Sequence, residues 1–273
     1  MLARKRMRID RGRAAAALGR FMELTAADRR DRATAALGRD LQARMEAGLR
    51  KQSSSFRSGL AGLRPMFADP LTAGTIWGGD WVPYFDQAVQ LTREGMEAGL
   101  YDNILSALYM GGGHLVDDVG MPLTIGFNVE NPRAVAWATE HAAGQVARIN
   151  LATMQGIRGV IVEAVANGWS YTRTAERLAG LFEFSAGRAH RIAVYEIGSA
   201  YEQGKRMAAQ ELAGQGLRME KKWQSAGDNR VRPAHRENQG AGWIAMDAQF
   251  PDGADIPPSD PGCRCAALWR VAR

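Results

Sequence analysis

Cysteine is nearly absent from this chain: of its 273 residues only Cys263 and Cys265 carry a thiol. Two cysteines spaced C-x-C cannot build the disulfide framework of a small secreted domain, so the chain reads as one that folds in a reducing cytoplasm. No stretch approaches the roughly 20 apolar residues that a bilayer-spanning helix needs, and no membrane is expected among its partners. The N-terminal run AAAALGRF is too short, and too soon broken by Arg20, to be a secretory core. Proline is missing from the whole of residues 133–232, which leaves a long succession of helices unbroken. Complete catalytic motifs are missing too: there is no H-E-x-x-H, no H-x-E deaminase pattern and no G-x-S-x-G. The triple glycine at Gly111, Gly112 and Gly113 lacks a following Gly-Lys-Ser/Thr and comes after a helix, so it is not a phosphate loop.

What is present is an ordinary globular composition, 46% hydrophobic and 23% charged, on a chain long enough for one large or two small domains. The charge is uneven. Arg4, Lys5, Arg6, Arg8, Arg11 and Arg13 stand against Asp10 alone, so residues 1–13 carry +5 of the total +6. A basic arm on a near-neutral body suits a phosphate backbone or an acidic protein surface; a solvated tail is the plainer reading of the same residues.

The fold class expected is α+β, a predominantly helical body with a small β-rich unit at the C-terminal end. Thr25 followed by Asp28 approximates a capping box, and Ala36, Leu37, Leu41, Met45 and Leu49 recur at helical spacing, predicting an amphipathic helix of about 25 residues that stops at the Ser-rich QSSSFRSG. Residues 59–82 read as loop or turns. A second helix is predicted from about Tyr84 to Met110, terminated by the three glycines, and a short strand at LTIGFNV. Asn131 and Pro132 make an N-cap and first-turn pair. Breaks in the helical run that follows are predicted at Asn150, at Asn167–Gly168, near Phe184–Ser185 and at Gly214–Gly216. Ser185 caps the last of these helices, whose apolar face runs Ala189, Ile192, Ala193, Ile197, Ala200, Gly204, Ala208 and Leu212. Glu196 shares that inward stripe. A buried carboxylate needs a partner, so a structural ion pair with Arg188, or with a C-terminal arginine, is expected. From Lys221 the periodicity changes, and KKWQS, GWIAM and CRCAALWRV read as three short strands in a unit too small to be stable without a metal, a partner or the preceding helices.

The chemistry gathers in that unit. Asp228 and His235 lie in a polar stretch, and Cys263 and Cys265 return about 30 residues later. On an extended segment positions two apart face the same way, so the two thiols can converge on one ion. Asp228, His235, Cys263 and Cys265 together are the ligand types of a four-coordinate structural zinc site. The same residues also suit a hydrogen-bonded loop holding two reduced thiols and no metal. A hydrolase or nuclease built on His235 and Asp228, or a toxin-like transferase built on Glu196, lacks further parts: a catalytic zinc wants an open position and a nearby base, for which Asp228 or Glu237 would have to serve. The chain therefore reads as a non-enzymatic protein, with a metal-dependent hydrolase or a nonspecific DNA-binding module as alternatives.

KKWQSAGDNRVRPAH followed by FPDGADIPPSDPGCRC resembles the terminal motif of the Mu protein F-like minor head proteins of tailed bacteriophages. The resemblance extends back through Gly168 and SAGRAHRIAVYEIGSAYEQG, where Ser185, Arg188, Ala189, Ile192, Ala193 and Glu196 follow that family's pattern, and it covers roughly residues 150–270. Val194 and Tyr195 stand where the family commonly has Arg-Thr. It implies a head morphogenesis protein at the portal vertex, present in several copies and packaged with or near the DNA. Its partners would be portal protein, capsid or scaffold subunits and, nonspecifically, genomic DNA. Its location would be the virion head, assembled in the bacterial host cytoplasm. The organisation expected is a basic arm (1–20), a helical N-terminal region (21–130), the helical part of the Mu F-like domain (131–216) and the β-rich unit (217–273).

Overall fold

The computed structural model describes residues 26–62, 80–120 and 131–272. The basic arm with Arg4, Lys5, Arg6, Arg8, Arg11 and Arg13, the strand expected at LTIGFNV and most of the loop expected at 59–82 lie outside the described residues. Among the described residues the chain is predominantly helical with one open three-stranded sheet near its C-terminal end, as the sequence led us to expect. No helix among them is long and apolar enough to cross a membrane.

Four long helices form the body: α1 (Ala26–Ala61), α2 (Val82–Val119), α3 (Pro132–Ala166) and α5 (Ala186–Gly214). A short helix, α4 (Tyr171–Ala179), and a single 3-10 turn at Phe182–Phe184 connect α3 to α5. Two caps are those that the sequence announces, while Thr25 lies outside the described residues. Asn131 Oδ1 accepts from the backbone N–H groups of Arg133 and Ala134 with proline in the first turn of α3, and Ser185 Oγ accepts from Arg188 N at 3.1 Å. Gly168 and Gly216, both at positive φ, follow the ends of α3 and α5.

Three expected breaks are not there. The Ser-rich stretch continues α1, because Gln52 and Phe56 are fully buried. The Gln52 amide donates to Thr92 Oγ1 and to Asn150 Oδ1, at 3.1 and 2.7 Å. Asn150 thus sits inside α3 as an acceptor, not at a break. The triple glycine also lies inside a helix, since α2 runs on to Val119 and ends at Gly120 with φ 68°. Its purpose is closeness. A Cβ on Gly111 would lie 1.9 Å from the carbonyl oxygen of Tyr201, and one on Gly204 would lie 1.9 Å from that of Leu108. Glycine on both faces lets the backbones of α2 and α5 touch, a gain that outweighs its poor helix propensity of about 1 kcal/mol per residue.

The main core is a set of stripes at spacings of three and four. It takes Leu41, Met45 and Leu49 from α1 and Met96, Leu100, Ile104 and Leu108 from α2. Alanines from Ala134 to Ala142 with Val146 come from α3, and Ala189, Ala193 and Ile197 from α5. Each buried Leu, Ile or Met contributes about 1.5–3 kcal/mol. A second cluster around Phe56, Trp81, Phe85, Ile161 and Phe184 closes one end of the body. At the other end Leu115, Val116, Ala208 and Leu212 pack on Met219, Ala267 and Trp269, and this third cluster seats the sheet.

The sheet has order β2-β1-β3, with β1 (Met219–Gln224) antiparallel to both β2 (Trp243–Ala245) and β3 (Ala266–Val271). These are the three strands read from the sequence. Between β1 and β2 lies α6 (Pro233–Gly240), where a polar loop was expected; Pro233 at its first turn starts it.

Candidate metal centre

His235 sits in the first turn of α6, and its imidazole faces back toward β1, 5.3 Å between ring centroids from Trp223. Cys263 and Cys265 arrive on the extended segment that leads into β3. The turn before them is written in Asp260-Pro261-Gly262-Cys263: Cys263 N–H donates to Asp260 O at 2.9 Å, and Gly262 has φ 80°. Proline followed by a left-handed glycine is the pattern of a type II turn. It aims the Cys263 thiol inward, and Cys265, two residues on, follows to the same side.

The three side chains meet. His235 Nδ1 lies 3.7 Å from Cys263 Sγ and 3.5 Å from Cys265 Sγ, and all three residues are buried. Zinc–sulfur and zinc–nitrogen bonds of about 2.3 and 2.05 Å at a tetrahedral angle give an edge of about 3.6 Å, so the spacing matches that of two ligands on one ion. The other imidazole nitrogen is also engaged. Nε2 is 3.1 Å from Ser259 Oγ and 3.4 Å from Asp260 Oδ2. A proton held at Nε2 by a carboxylate leaves the Nδ1 lone pair directed at the sulfurs, the outer-shell arrangement that metal-bound histidines use. His235, Cys263 and Cys265 can thus hold a metal ion.

The thiols are already primed. The Cys265 thiol donates to the Cys263 sulfur, which, with backbone donors and His235, draws Cys263 down to about 6 against the desolvation that opposes it. The same bond, together with burial, pushes Cys265 up. A metal bound here would take the place of protons on these ligands.

Asp228, the fourth residue of the expected set, is placed elsewhere. Both of its oxygens accept from Arg264 Nη2 at 2.7 Å, and Oδ1 accepts from the Arg230 backbone N–H at 3.1 Å. The bond from Arg264 holds its carboxyl below the usual range. The sequence brings three members of the set together and spends the fourth on a turn. Ser259 and Asp260 were given no role at the site from the sequence, although Asp260 belongs to the same motif as the cysteines.

A cavity of about 220 Å³ opens over the centre, lined by His235, Cys263 and Cys265 and by Arg230, Arg232 and Arg264. Beneath it the centre is tied to the helical body. Arg30 of α1 donates to the Cys265 carbonyl oxygen at 3.0 Å. Glu202 of α5, fully buried, accepts from Ala267 N–H and pairs with Lys205 Nζ at 3.1 Å, while Arg30 Nη1 lies 3.7 Å away. Lys205 in turn donates to the Ala267 carbonyl. The i,i+3 charges of Glu202 and Lys205 within an Ala- and Gly-rich helix were the legible sign of this latch; Arg30 gave none.

Glu196 is buried on the inward side of α5 as expected, but Arg188 is not its partner. Eight residues of helix separate the two by about 12 Å, and Arg188 donates instead to Thr153 Oγ1, Ile149 O and Glu183 O at 2.7–2.9 Å. Glu196 is held by His141 Nε2 at 2.6 Å and by the Gln145 amide, both from α3. This contact lies in a cleft of about 490 Å³ between α3 and α5 that is also lined by Arg148, Arg191, Ile192, Tyr195 and Pro261.

Comparison with known proteins bears on the same half of the chain. Residues 155–268 match the family model of Phage Mu protein F like protein, a span running from the second half of α3 to β3 that contains the whole metal centre. The chain is also similar to the minor head protein GP7 of Bacillus phage SPP1, 24% identical over 203 residues that make up 68% of this chain and 63% of that protein. It spans less than two thirds of that relative's length. No solved structure matches. These likenesses support a partial homology with the family that the C-terminal motif resembles.

Proposed function

We propose that this chain is a minor head protein of a tailed phage or prophage, acting in head morphogenesis and in DNA packaging or delivery at or near the portal vertex. The observation that carries the reading is the overlap of the 155–268 family match with the one place among the described residues where His and Cys side chains converge. The ion at His235, Cys263 and Cys265 is zinc, because two thiolates and an imidazole at tetrahedral spacing suit that metal best. Its role is structural: it ties α6 to the entry of β3 in a unit with very little core. The long helices supply surfaces for portal, capsid or scaffold subunits, and residues 1–13 supply a nonspecific, salt-sensitive contact to DNA.

The hydrolase reading draws on the three-ligand donor set, which leaves a coordination position open. Against it stand both candidate bases: Asp228 is held at both oxygens by Arg264, and Glu237 is exposed and outside the cavity over the centre.

Location tests the proposal. Mass spectrometry of purified particles should find the chain in heads, and an immobilised portal protein should retain it from the lysate of an infected or induced host. Absence from every particle and assembly intermediate, together with metal-dependent hydrolytic activity in solution, would overturn the reading in favour of the enzyme.

A further inference from the structure

The donor set has three members, and a tetrahedral ion has four positions. Among the described residues no further His, Cys, Asp or Glu joins the group. Asp228 is occupied by Arg264. Ser259 and Asp260 touch Nε2, on the far side of the imidazole from the sulfurs. The fourth position therefore opens where the chain leaves room, into the cavity of about 220 Å³ whose wall includes all three ligands. A water occupies about 30 Å³, so that space admits a ligand several atoms across.

The rest of the wall says what kind. Arg230, Arg232 and Arg264 face the cavity with 74%, 47% and 37% of their side chains exposed. Zinc with two thiolates and a neutral imidazole is itself uncharged, so the three guanidinium groups, opposed by Asp228 and Asp260, leave the site net positive. Arg264 is held by Asp228 at 2.7 Å, while the partnerships of the other two are partial. Arg230 reaches Asp228 only at 3.4 Å, and Arg232 reaches Asp260 at 3.6 Å and the Pro261 carbonyl at 3.2 Å. Forked donors around a metal suit a tetrahedral oxyanion, which can give one oxygen to the ion and others to two guanidinium groups at once. A carboxylate, with two oxygens, cannot meet all of them.

We propose that the metal centre is a phosphate-binding site: a phosphate oxygen completes the coordination of the ion, and Arg230 and Arg232 clasp the remaining oxygens. The proposal rests on the metal reading above. It gives the folded C-terminal unit its own contact with phosphate, separate from that of residues 1–13, and the phosphate is that of a nucleic-acid backbone or of a free phosphate ion.

Cobalt(II) in place of zinc makes the fourth ligand visible through its d–d absorption. The full-length protein, loaded with cobalt, is titrated with inorganic phosphate, with a short DNA duplex and with acetate at matched ionic strength. Phosphate should move the bands saturably, with acetate at least about ten-fold weaker. A duplex that moves the bands where free phosphate does not identifies the polymer backbone as the source, and the reverse identifies the free ion. The doubly substituted Arg230→Gln, Arg232→Gln protein should take up the same amount of cobalt and bind phosphate about ten-fold or more weakly. A spectrum unmoved by both phosphate and DNA, or moved equally by acetate, overturns the proposal while leaving the metal site standing. Failure to take up cobalt at all removes the metal site, and the phosphate site with it.

Discussion

In the helical body α2 and α5 approach until a single methyl group on Gly111 or Gly204 would strike the opposite backbone, and the stripes from four helices fill the space between. Around His235 there is no such redundancy. The core of that part is Trp223, Phe250, Cys263 and Cys265, with Ile244 and Ala254 packed against it, and its chain is mostly turns. The body is stabilised by area and close packing, spread over many residues. The C-terminal unit concentrates its stability in a few polar devices: three ligands for an ion, the Asp228–Arg264 pair, and the Arg30–Glu202–Lys205 latch that joins it to the helices. A distributed core tolerates substitution piecemeal, whereas a unit of this size fails when one device is removed.

The sharpest break in the comparison is Cys263→Ser. Elemental analysis should show bound zinc falling from about one equivalent to none, with several kcal/mol lost locally, since metal affinity in small units is folding free energy. Hydrogen exchange should show the amides of β1, α6 and β3 losing protection while far-UV helicity of the body persists. Acid should do the same reversibly. The metal needs Cys263 as thiolate, so protons compete with the ion for the sulfur and zinc is released as pH falls. A metal-free protein with undiminished protection in β3 would show that the hydrogen-bonded thiols suffice alone.

Glu202→Gln tests the joint between the regions. The substitution keeps the shape and removes the carboxylate that Lys205 and Arg30 share, leaving Arg30 its pair with Asp31 but Lys205 facing only a neutral amide. Losing one partner of a buried charge cluster costs about 3–5 kcal/mol. The urea midpoint should fall, with β3 released from α5 first and zinc stoichiometry unchanged. An unaltered midpoint would mean that the third hydrophobic cluster alone seats the sheet.

The two regions were also unequally legible. Helix starts could be read because Asn131–Pro132 and Ser185 act locally, through backbone donors one turn away. Helix ends could be read only in part: the glycines at Gly168 and Gly216 mark the ends of α3 and α5, but Ser53, Gly111 and Asn150 also look like breakers, and only the partner helix shows that Ser53 is buried, that Gly111 makes room for Tyr201 and that Asn150 accepts from Gln52. In the C-terminal unit the C-x-C spacing and the later-paired strands fixed which residues converge. The choice of Asp228 as fourth ligand went astray because nothing in the spacing distinguishes a carboxylate that reaches an ion from one claimed by Arg264. Arg188 and Glu196 likewise share a helix and a burial pattern, and only the axial distance between them separates their partners.

The smallest expected effect lies in the body and sharpens the comparison from the other side. In Gly204→Ala two terms oppose each other. Replacing glycine inside a helix favours the folded state by about 1 kcal/mol. The new Cβ, however, would lie 1.9 Å from the Leu108 carbonyl oxygen, and a backbone atom cannot swing aside as a side-chain end can. The helices must part, loosening α2 against α5 at a cost of about 1–3 kcal/mol, the usual penalty for overpacking. Repulsion wins, and thermal unfolding should shift down by a few degrees while zinc content stays at its starting value. Gly95, on the exposed side of α2 with nothing within 4 Å of an added Cβ, is the matched control. There only the propensity gain operates, and Gly95→Ala should raise stability by about 0.5–1 kcal/mol. If both substitutions stabilise, the close approach of α2 and α5 is not what their glycines are for. If Gly204→Ala also releases zinc, the two regions are not stabilised independently, and the difference between them is one of composition alone.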